Sequence, residues 1–211
     1  MKSKEFFLFL MFLGILCIAC VLFITINIQI EEEQAKSFSD EIVINFTENI
    51  VCSTSIIPTV TSSIIYENET SLETSLETSI IEIDNQEYIG VLCIPSLNIT
   101  LPVTSTWNYD LLKKTPCVFS GTIENENLII AGHNYKSHFA YLKNLSLGDT
   151  AYILDANGNF HNYEVILIET IAGDEVSNLL DGEWDLSLFT CTNANNSHRT
   201  VLRFQKIDPN I

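Results

Sequence analysis

The chain has 211 residues, of which 10 are Lys or Arg and 27 are Asp or Glu, so its formal net charge is -17. This length allows one domain of ordinary size together with additional segments. The acidic balance argues against a nucleic-acid partner, because contact with phosphate backbones requires clustered Lys and Arg side chains.

The first thirty residues predict a membrane-spanning helix. Lys2 and Lys4 give a short basic start, and residues 6–30 contain no charged side chain. That length matches the hydrocarbon core of a bilayer, and the lysines favour a cytoplasmic N-terminus. A cleaved signal peptide is the alternative, but no small-residue cleavage site follows Ile30. We therefore expect residues 1–30 to form a cytoplasmic start and a signal-anchor helix.

Residues 31–87 predict an acidic linker outside the membrane. They contain thirteen Asp or Glu residues and one base, Lys36, and they include the repeat ETSLETSLETS at 69–79. Thr and Ser are poor helix formers, and acidic polar segments tend to remain solvated. We expect an extended or disordered stalk that holds the following domain away from the membrane.

The composition changes near Tyr88, where a domain rich in short strands begins. YIGVLCIPSLNITLPV, at 88–103, predicts two short strands with a turn, and NLIIAG, at 127–132, predicts a buried strand. The segment 137–145 places Phe139, Leu142 and Leu145 at helical spacing and predicts a short helix. LPVTS at 101–105 continues an apolar strand and is interpreted as scaffold.

The remaining strands predict a mostly β domain over residues 88–211. TAYILDANGNFHNYEVILIE, at 150–169, predicts a hairpin around Asn157-Gly158. LSLFTCT and RTVLRFQK, at 186–192 and 199–206, predict a final strand pair. Many short strands with little helix indicate a barrel or a sandwich of roughly 125 residues.

The last strand pair carries a candidate nucleophile and a candidate cation. Side chains alternate between the faces of a strand, so Leu188 and Thr190 share one face while Phe189 and Cys191 share the other. Antiparallel pairing would return Arg199 toward Cys191. A thiol is nucleophilic as the thiolate, which a nearby cation favours, and a guanidinium can stabilise the oxyanion of an attacked carbonyl. A buried, inert thiol is the alternative reading of Cys191.

A cysteine nucleophile also requires a group that transfers protons. His133 follows the apolar strand NLIIAG, in a loop position where catalytic groups are common. His198 is the rival because it lies near Cys191 in sequence, but sequence proximity does not establish spatial proximity. A zinc site made of His133, His138 and Cys191 would lack the close paired spacing of such sites.

The other cysteines and Arg203 receive structural readings. Cys93 and Cys117 lie in the same domain as Cys191, so three cysteines leave at least one thiol unpaired there. Cys93 and Cys117 are interpreted as core thiols or a disulfide, and the pairing remains open. Arg203 is interpreted as a surface charge rather than a second substrate contact.

AGHNY together with LFTCTNANNSHR resembles the sortases, cysteine transpeptidases on the surface of Gram-positive bacteria. The shared pattern is a His after a strand, a strand that ends in Thr-Cys, and an Arg in the next strand. Thr190, Cys191 and Arg199 fit this pattern, whereas Ser187 departs from it because a Thr usually stands there. The resemblance covers residues 88–206.

The resemblance implies an eight-stranded β-barrel with short helices and a transpeptidation. In that reaction Cys191 attacks the Thr–Gly bond of an L-P-x-T-G-like sorting signal, Arg199 stabilises the oxyanion and His133 transfers protons. Thr190 is expected to contact the substrate. No metal or other cofactor is expected, because no compact acidic cluster suggests the calcium site that some family members have.

The implied partners are surface proteins that carry a C-terminal sorting signal, an amine acceptor and membrane lipid around the N-terminal helix. The acceptor would be a peptidoglycan precursor or a pilin lysine. The implied location is the cell membrane, with one span and an extracytoplasmic catalytic domain. The alternative is a non-catalytic surface module that keeps the barrel and binds wall peptides or proteins.

Overall fold

The computed structural model describes residues 2–54, 79–192 and 197–208. The β-strands are β1 Ile81–Ile83, β2 Gln86–Ile94, β3 Ile99–Thr104, β4 Cys117–Ser120, β5 Leu128–Ala131, β6 Thr150–Asp155, β7 Phe160–Ala172, β8 Leu186–Cys191 and β9 His198–Ile207. The α-helices are α1 Lys2–Thr54, α2 Tyr109–Leu112 and α3 Val176–Leu180, and single 3-10 turns lie at Pro95–Leu97 and Leu142–Asn144.

Eight of the strands form a closed barrel. The strand order is β2-β3-β4-β5-β8-β9-β7-β6, and β6 pairs again with β2 to close the sheet. β1 is a short ninth strand that pairs antiparallel with the start of β2. The predicted eight-stranded barrel with short helices is therefore confirmed.

Alternation along the strands fills the barrel interior with apolar side chains. Leu128 and Ile130 of β5, and Leu186 and Leu188 of β8, lie in the main core and are fully buried. The intervening residues of the same strands point outward and pack in a second cluster under α3. One face of β5 and β8 is covered by the barrel core and the other by α3. Both faces of these strands therefore carry apolar side chains.

The predicted strands form as expected. LPVTS lies largely in β3, where Leu101 and Val103 are buried, so it is scaffold. β6 and β7 form the predicted hairpin, and Gly158 in its turn has a φ of 86°, a region that favours glycine. β8 and β9 form the predicted antiparallel pair.

The predicted helix over residues 137–145 forms only as the 3-10 turn Leu142–Asn144, although its apolar side chains are buried as expected. The segment forms successive turns, in which the amides of His138 and Ala140 both donate to the Tyr135 carbonyl. Phe139 is fully buried and lies so close to Gly132 that a Cβ there would be 2.2 Å from the ring. Tertiary packing of Phe139 therefore overrides the helical spacing.

The expected extended or disordered stalk differs from the structure over residues 31–54. These residues continue α1 without a break, whereas the repeat at 69–79 lies almost wholly outside the described residues. Ala35, Ser39, Ile42 and Phe46 are buried. Their spacing of four, three and four places them on one helical face, which packs on the barrel.

The packing of α1 creates a third apolar cluster outside the barrel. Ile42 and Phe46 pack there with Ile83, Tyr88 and Val91 of the first two strands. Burial of apolar surface on this scale offsets the poor intrinsic helicity and the charge of the segment. The helix is therefore held by tertiary contacts over its second half.

The first half of α1 is a candidate membrane span. Its most apolar 18-residue window has no buried residue, and its large side chains are between 44% (Leu13) and 70% (Phe12) exposed. Such a surface on a helix of this length is typical of a bilayer span.

Ile42 and Ile44 provide a matched test of the contact between α1 and the barrel. Ile42 is 1% exposed and Ile44 is 57% exposed. We expect Ile42→Ala to lower the free energy of unfolding by about 3 kcal/mol, because it removes buried methyl groups and leaves a cavity. Ile44→Ala should change it by less than about 0.5 kcal/mol.

The measurement is denaturant unfolding of the detergent-solubilised chain, followed by tryptophan fluorescence. Equal small effects of the two substitutions would contradict the packing of α1 on the barrel.

Candidate active site

The strand pair β8–β9 brings Cys191 and Arg199 together. The register of this antiparallel pair places the two residues directly opposite each other. Because side chains directly opposite on one face lie about 5 Å apart at Cβ, both side chains project from the same side of the sheet. Both are half-buried, so they can meet a ligand from solvent.

The parallel pair β5–β8 brings His133 to the same place. Ala131 is paired with Phe189, and the Gly132 amide donates to the Phe189 carbonyl at 3.0 Å. Two residues further along each strand, this register places His133 beside Cys191. The structure therefore brings the predicted imidazole, thiol and guanidinium to the ends of three adjacent strands.

An apolar surface under α3 precedes all three groups on the same sheet face. Its members are the outward-facing residues Ile129, Ala131, Phe189 and Val201, together with Ile171 and Leu179. Since alternate residues of a strand share a face, the next outward positions are those of His133, Cys191 and Arg199. The barrel thus presents the three groups at the polar end of an otherwise apolar surface.

The His133 ring is held by Tyr135. The two rings are stacked, with centroids 4.0 Å apart and an angle of 22° between their planes. The Tyr135 hydroxyl donates to the Glu31 carboxylate of α1 at 3.3 Å. Sequence reasoning missed both residues, although AGHNY contains Tyr135; nothing in the sequence indicates that Glu31 lies here.

The surroundings of His133 favour the neutral imidazole. Burial lowers the pKa of His133, and the Glu31 carboxylate partly opposes this shift by favouring the imidazolium. Burial also raises the pKa of Tyr135 to about 12, with a further contribution from Glu31. At neutral pH the site therefore holds a neutral imidazole beside a protonated phenol.

The other two nearby histidines occupy different environments. His138 is fully buried, and burial together with the neighbouring His133 lowers its pKa to about 4. His198 is exposed, and its Nδ1 lies 3.0 Å from the Ser197 hydroxyl. Strand alternation directs His198 to the opposite face of β9 from Arg199. The geometry therefore brings His133, rather than His198, to the thiol.

A groove of about 440 Å³ opens beside Cys191. Thr190, Thr192 and Thr200 line its barrel side with Cys191, and Glu32 belongs to its α1 side. Thr190 is 4% exposed, and its hydroxyl has no hydrogen-bond partner among the described residues. An orphaned buried hydroxyl of this kind can bind a polar group of a ligand.

The interpretation of Arg203 as a surface charge is wrong, because this residue is only 1% exposed. Its Nε donates to Glu169 at 2.8 Å, and its Nη1 donates to the Ser187 hydroxyl at 3.0 Å. Its guanidinium also donates to the carbonyls of Asn178 and Leu179. Arg203 therefore joins α3 to β7, β8 and β9.

Ser187 is thereby explained as a structural residue. It is 1% exposed and lies opposite Arg203 in the β8–β9 register. A short hydroxyl side chain can accept the guanidinium hydrogen bond within this confined space. Ser187 therefore supplies the same hydroxyl group that a Thr at this position would supply.

The remaining cysteines of the barrel are free thiols. Cys117 is buried, and burial raises its pKa, whereas Cys93 is half-buried. Within residues 2–54, 79–192 and 197–208, no group of three His, Cys, Asp or Glu side chains is arranged to hold a metal ion.

Comparisons with known proteins agree with this geometry. The family model described as the Sortase domain matches residues 92–206, which is more than half of the chain. Sortase A of Bacillus anthracis is 30% identical over 127 residues, which cover 57% of this chain and 60% of that protein. The matched region thus spans less than two thirds of the length of that relative.

Solved structures give the same result for the fold. Sortase C1 of Streptococcus agalactiae has a TM-score of 0.55 and 25% identity, covering 61% of this chain and 72% of that chain. Sortase A of Corynebacterium diphtheriae has a TM-score of 0.51 and 24% identity, covering 59% and 63% respectively. The second similarity, at this identity, supports the fold alone.

Arg203 and Lys206 provide a matched test of the buried guanidinium. We expect Arg203→Met to lower the free energy of unfolding by about 3 kcal/mol, because two carbonyls, a hydroxyl and a carboxylate lose their donor. Lys206 forms an exposed pair with Glu126 at 2.6 Å, so Lys206→Met should cost at most about 1 kcal/mol. Denaturant unfolding checks both values, and similar costs would contradict a structural role for Arg203.

Proposed function

Because the chain belongs to the sortase family, we propose that it is a cysteine transpeptidase that cleaves an L-P-x-T-G-like sorting signal between Thr and Gly. The observation that carries this proposal is the convergence of His133, Cys191 and Arg199 at the ends of β5, β8 and β9. A nucleophile, a proton carrier and a fixed cation on one face are the groups that acyl transfer requires.

In the first step, Cys191 attacks the carbonyl carbon of the substrate Thr. The neutral His133 imidazole accepts the thiol proton, and the sulfur forms a bond to carbon while the carbonyl oxygen becomes an oxyanion. Arg199 donates hydrogen bonds to that oxygen and offsets its charge. The β8–β9 register, which sets Arg199 opposite Cys191, supports this role.

Collapse of the oxyanion breaks the peptide bond and leaves a thioester on Cys191. The His133 imidazolium gives its proton to the departing Gly amine, so the imidazole is neutral again. In the second step it takes a proton from the incoming amine, which attacks the thioester carbonyl. The sulfur leaves as a thiolate and is protonated again by the His133 imidazolium. Stacking on Tyr135 keeps the ring in one orientation through both steps.

The groove beside Cys191 is the proposed substrate-binding site. We assign Thr190 to substrate binding, since its buried hydroxyl lacks a partner among the described residues and lies in the same groove as Cys191. The substrates are surface proteins with a C-terminal sorting signal. The acceptor is an amine of a peptidoglycan precursor or of a pilin lysine, in a Gram-positive cell wall.

The proposed arrangement on the membrane follows from α1. Residues 1–30 form a cytoplasmic start and a single span, residues 31–87 form an acidic extracytoplasmic segment whose first part is helical, and residues 88–211 form the catalytic domain. Lys2 and Lys4 support this orientation because basic residues favour the cytoplasmic side.

Cys191→Ala tests the catalytic thiol, with Cys93→Ala as the matched control. We expect Cys191→Ala to abolish both cleavage of an L-P-x-T-G peptide and methanethiosulfonate labelling at position 191. Cys93 is also a half-buried free thiol, but it lies away from the three groups, so its substitution should leave cleavage unchanged. Mass spectrometry identifies peptide products and labelled sites. If the Cys191→Ala variant still cleaves the peptide, Cys191 is not the nucleophile. The cleavage would then come from a contaminant, and the barrel would be a non-catalytic module.

His133→Ala and His198→Ala distinguish the proton carrier. We expect His133→Ala to reduce kcat by about 10²–10⁴-fold, the usual contribution of general acid–base catalysis. His198→Ala should stay within a few-fold of the unaltered enzyme, because its side chain faces the other side of β9. The test is steady-state transfer of the peptide to an amine acceptor, and the reverse ranking would assign the role to His198.

A further inference from the structure

The loop that follows β5 is bonded to a single turn of α1. The Tyr135 hydroxyl donates to the Glu31 carboxylate at 3.3 Å. The Lys136 amide donates to the Glu32 carboxylate. The Ser137 hydroxyl donates to the Glu32 carbonyl at 3.4 Å. Three successive residues of this loop are therefore held by α1, although the two segments are far apart in sequence.

The imidazole of His133 depends on this loop for its orientation. Its Nδ1 atom is buried and has no hydrogen-bond partner among the described residues. A catalytic base is usually oriented by a third group that bonds to its other ring nitrogen. Here the buried Tyr135 ring, stacked with a centroid distance of 4.0 Å, is the contact that can orient the imidazole. The position of the imidazole therefore depends on what holds the Tyr135 ring.

Glu31 also contributes to the charge environment of His133. Burial has the largest effect and lowers the pKa of His133, whereas the Glu31 carboxylate raises it and Lys113 lowers it further. Glu31 and Lys113 line one cavity together with Tyr135. The charged and titratable groups on the surrounding elements are Glu31 and Glu32 of α1, Asp110, Lys113 and Lys114 at and after α2, Tyr135 and His138 of the same loop, and Cys191 and Arg199 of β8 and β9.

We propose that Glu31 is a positioning residue for His133, because it holds the Tyr135 ring on which the imidazole stacks. The docked α1 then completes the active site. This inference rests on the role of His133 proposed above. A carboxylate suits the task, since hydrogen bonds to an ionised acceptor are stronger than neutral ones. Its charge also stabilises the imidazolium that exists between the two proton transfers.

The kinetic test uses the full chain in phosphatidylcholine nanodiscs, with Glu33→Ala as the matched control. We expect Glu31→Ala to reduce kcat about 10-fold with little change in KM, because a misplaced base slows the chemical step more than substrate binding. Glu31→Gln keeps a hydrogen-bond acceptor and should recover most of kcat. Glu33 is exposed and belongs to the same turn, but it points to a different side of α1, so its substitution should leave kcat within a few-fold.

A double-mutant cycle tests whether Glu31 acts through Tyr135. Tyr135→Phe keeps the stacked ring and removes only the hydroxyl, so it should reduce kcat as much as Glu31→Ala does. The double variant should lose no more than either single variant, because both substitutions remove the same interaction. Fully additive losses would overturn the proposal.

Nuclear magnetic resonance of ¹³C-labelled histidine follows His133 without any need for catalysis. The chain has four histidines, and the His133 signal is the one that His133→Ala removes. At low ionic strength, where salt screens the exposed carboxylate least, Glu31→Gln should lower the pKa of His133 and Lys113→Met should raise it. Glu33→Gln should leave it unchanged. Glu31→Ala should also shift the neutral His133 signal, since the ring current of Tyr135 depends on the stacking geometry.

The outcomes separate this proposal from the proposed function. If Glu31→Ala keeps full kcat, or if neither Glu31 substitution changes the His133 signal or its titration, Glu31 is not a positioning residue, and the cysteine chemistry is unaffected. If the unaltered chain does not cleave the peptide, the proposed function is refuted. The histidine titration then still decides whether Glu31 positions His133.

Discussion

The site depends on one constraint, the parallel register between β5 and β8. The hydrogen bond from the Gly132 amide to the Phe189 carbonyl extends this register beyond the last paired residues and brings His133 level with Cys191. Only a residue without a side chain can occupy position 132, because the Phe139 ring lies against it. A shift of one residue would direct the imidazole or the thiol into the barrel interior, so the chemistry and the core packing are specified by the same contact.

Local patterns could be predicted from the sequence, whereas contacts between distant segments could not. Antiparallel pairing of LSLFTCT with the following strand predicted that Arg199 returns toward Cys191, because a pattern of two successive strands depends only on neighbours in sequence. The pairing that brings His133 to them could be named only through the family resemblance. Arg203 was misread because its partners lie on α3 and β7, and a charged residue is usually exposed unless it is paired. In the segment with Phe139, the apolar spacing correctly predicted burial, but only one 3-10 turn forms there instead of a longer helix.

The acidic composition of the middle segment concealed its helical face. Ala35, Ser39, Ile42 and Phe46 follow helical spacing, but they are separated by charged and polar residues that are typical of a solvated linker. The barrel supplies the apolar partner that makes the helix stable, and no partner is visible from the segment alone. Glu31 reaches the Tyr135 hydroxyl for the same reason, as a consequence of helix docking.

The docking of α1 also fixes the barrel directly to the helix that contains the candidate membrane span. Ile50, near the end of α1, lies beside Gly158, where a Cβ would be 3.2 Å from its Cγ2 atom, and Ser79 accepts a hydrogen bond from Asn157. Both neighbours belong to the β6–β7 turn, so the chain departs from this turn and returns to it across residues 55–78. ETSL units could therefore be added or removed between these two contact points without changing the contacts that hold α1 on the barrel.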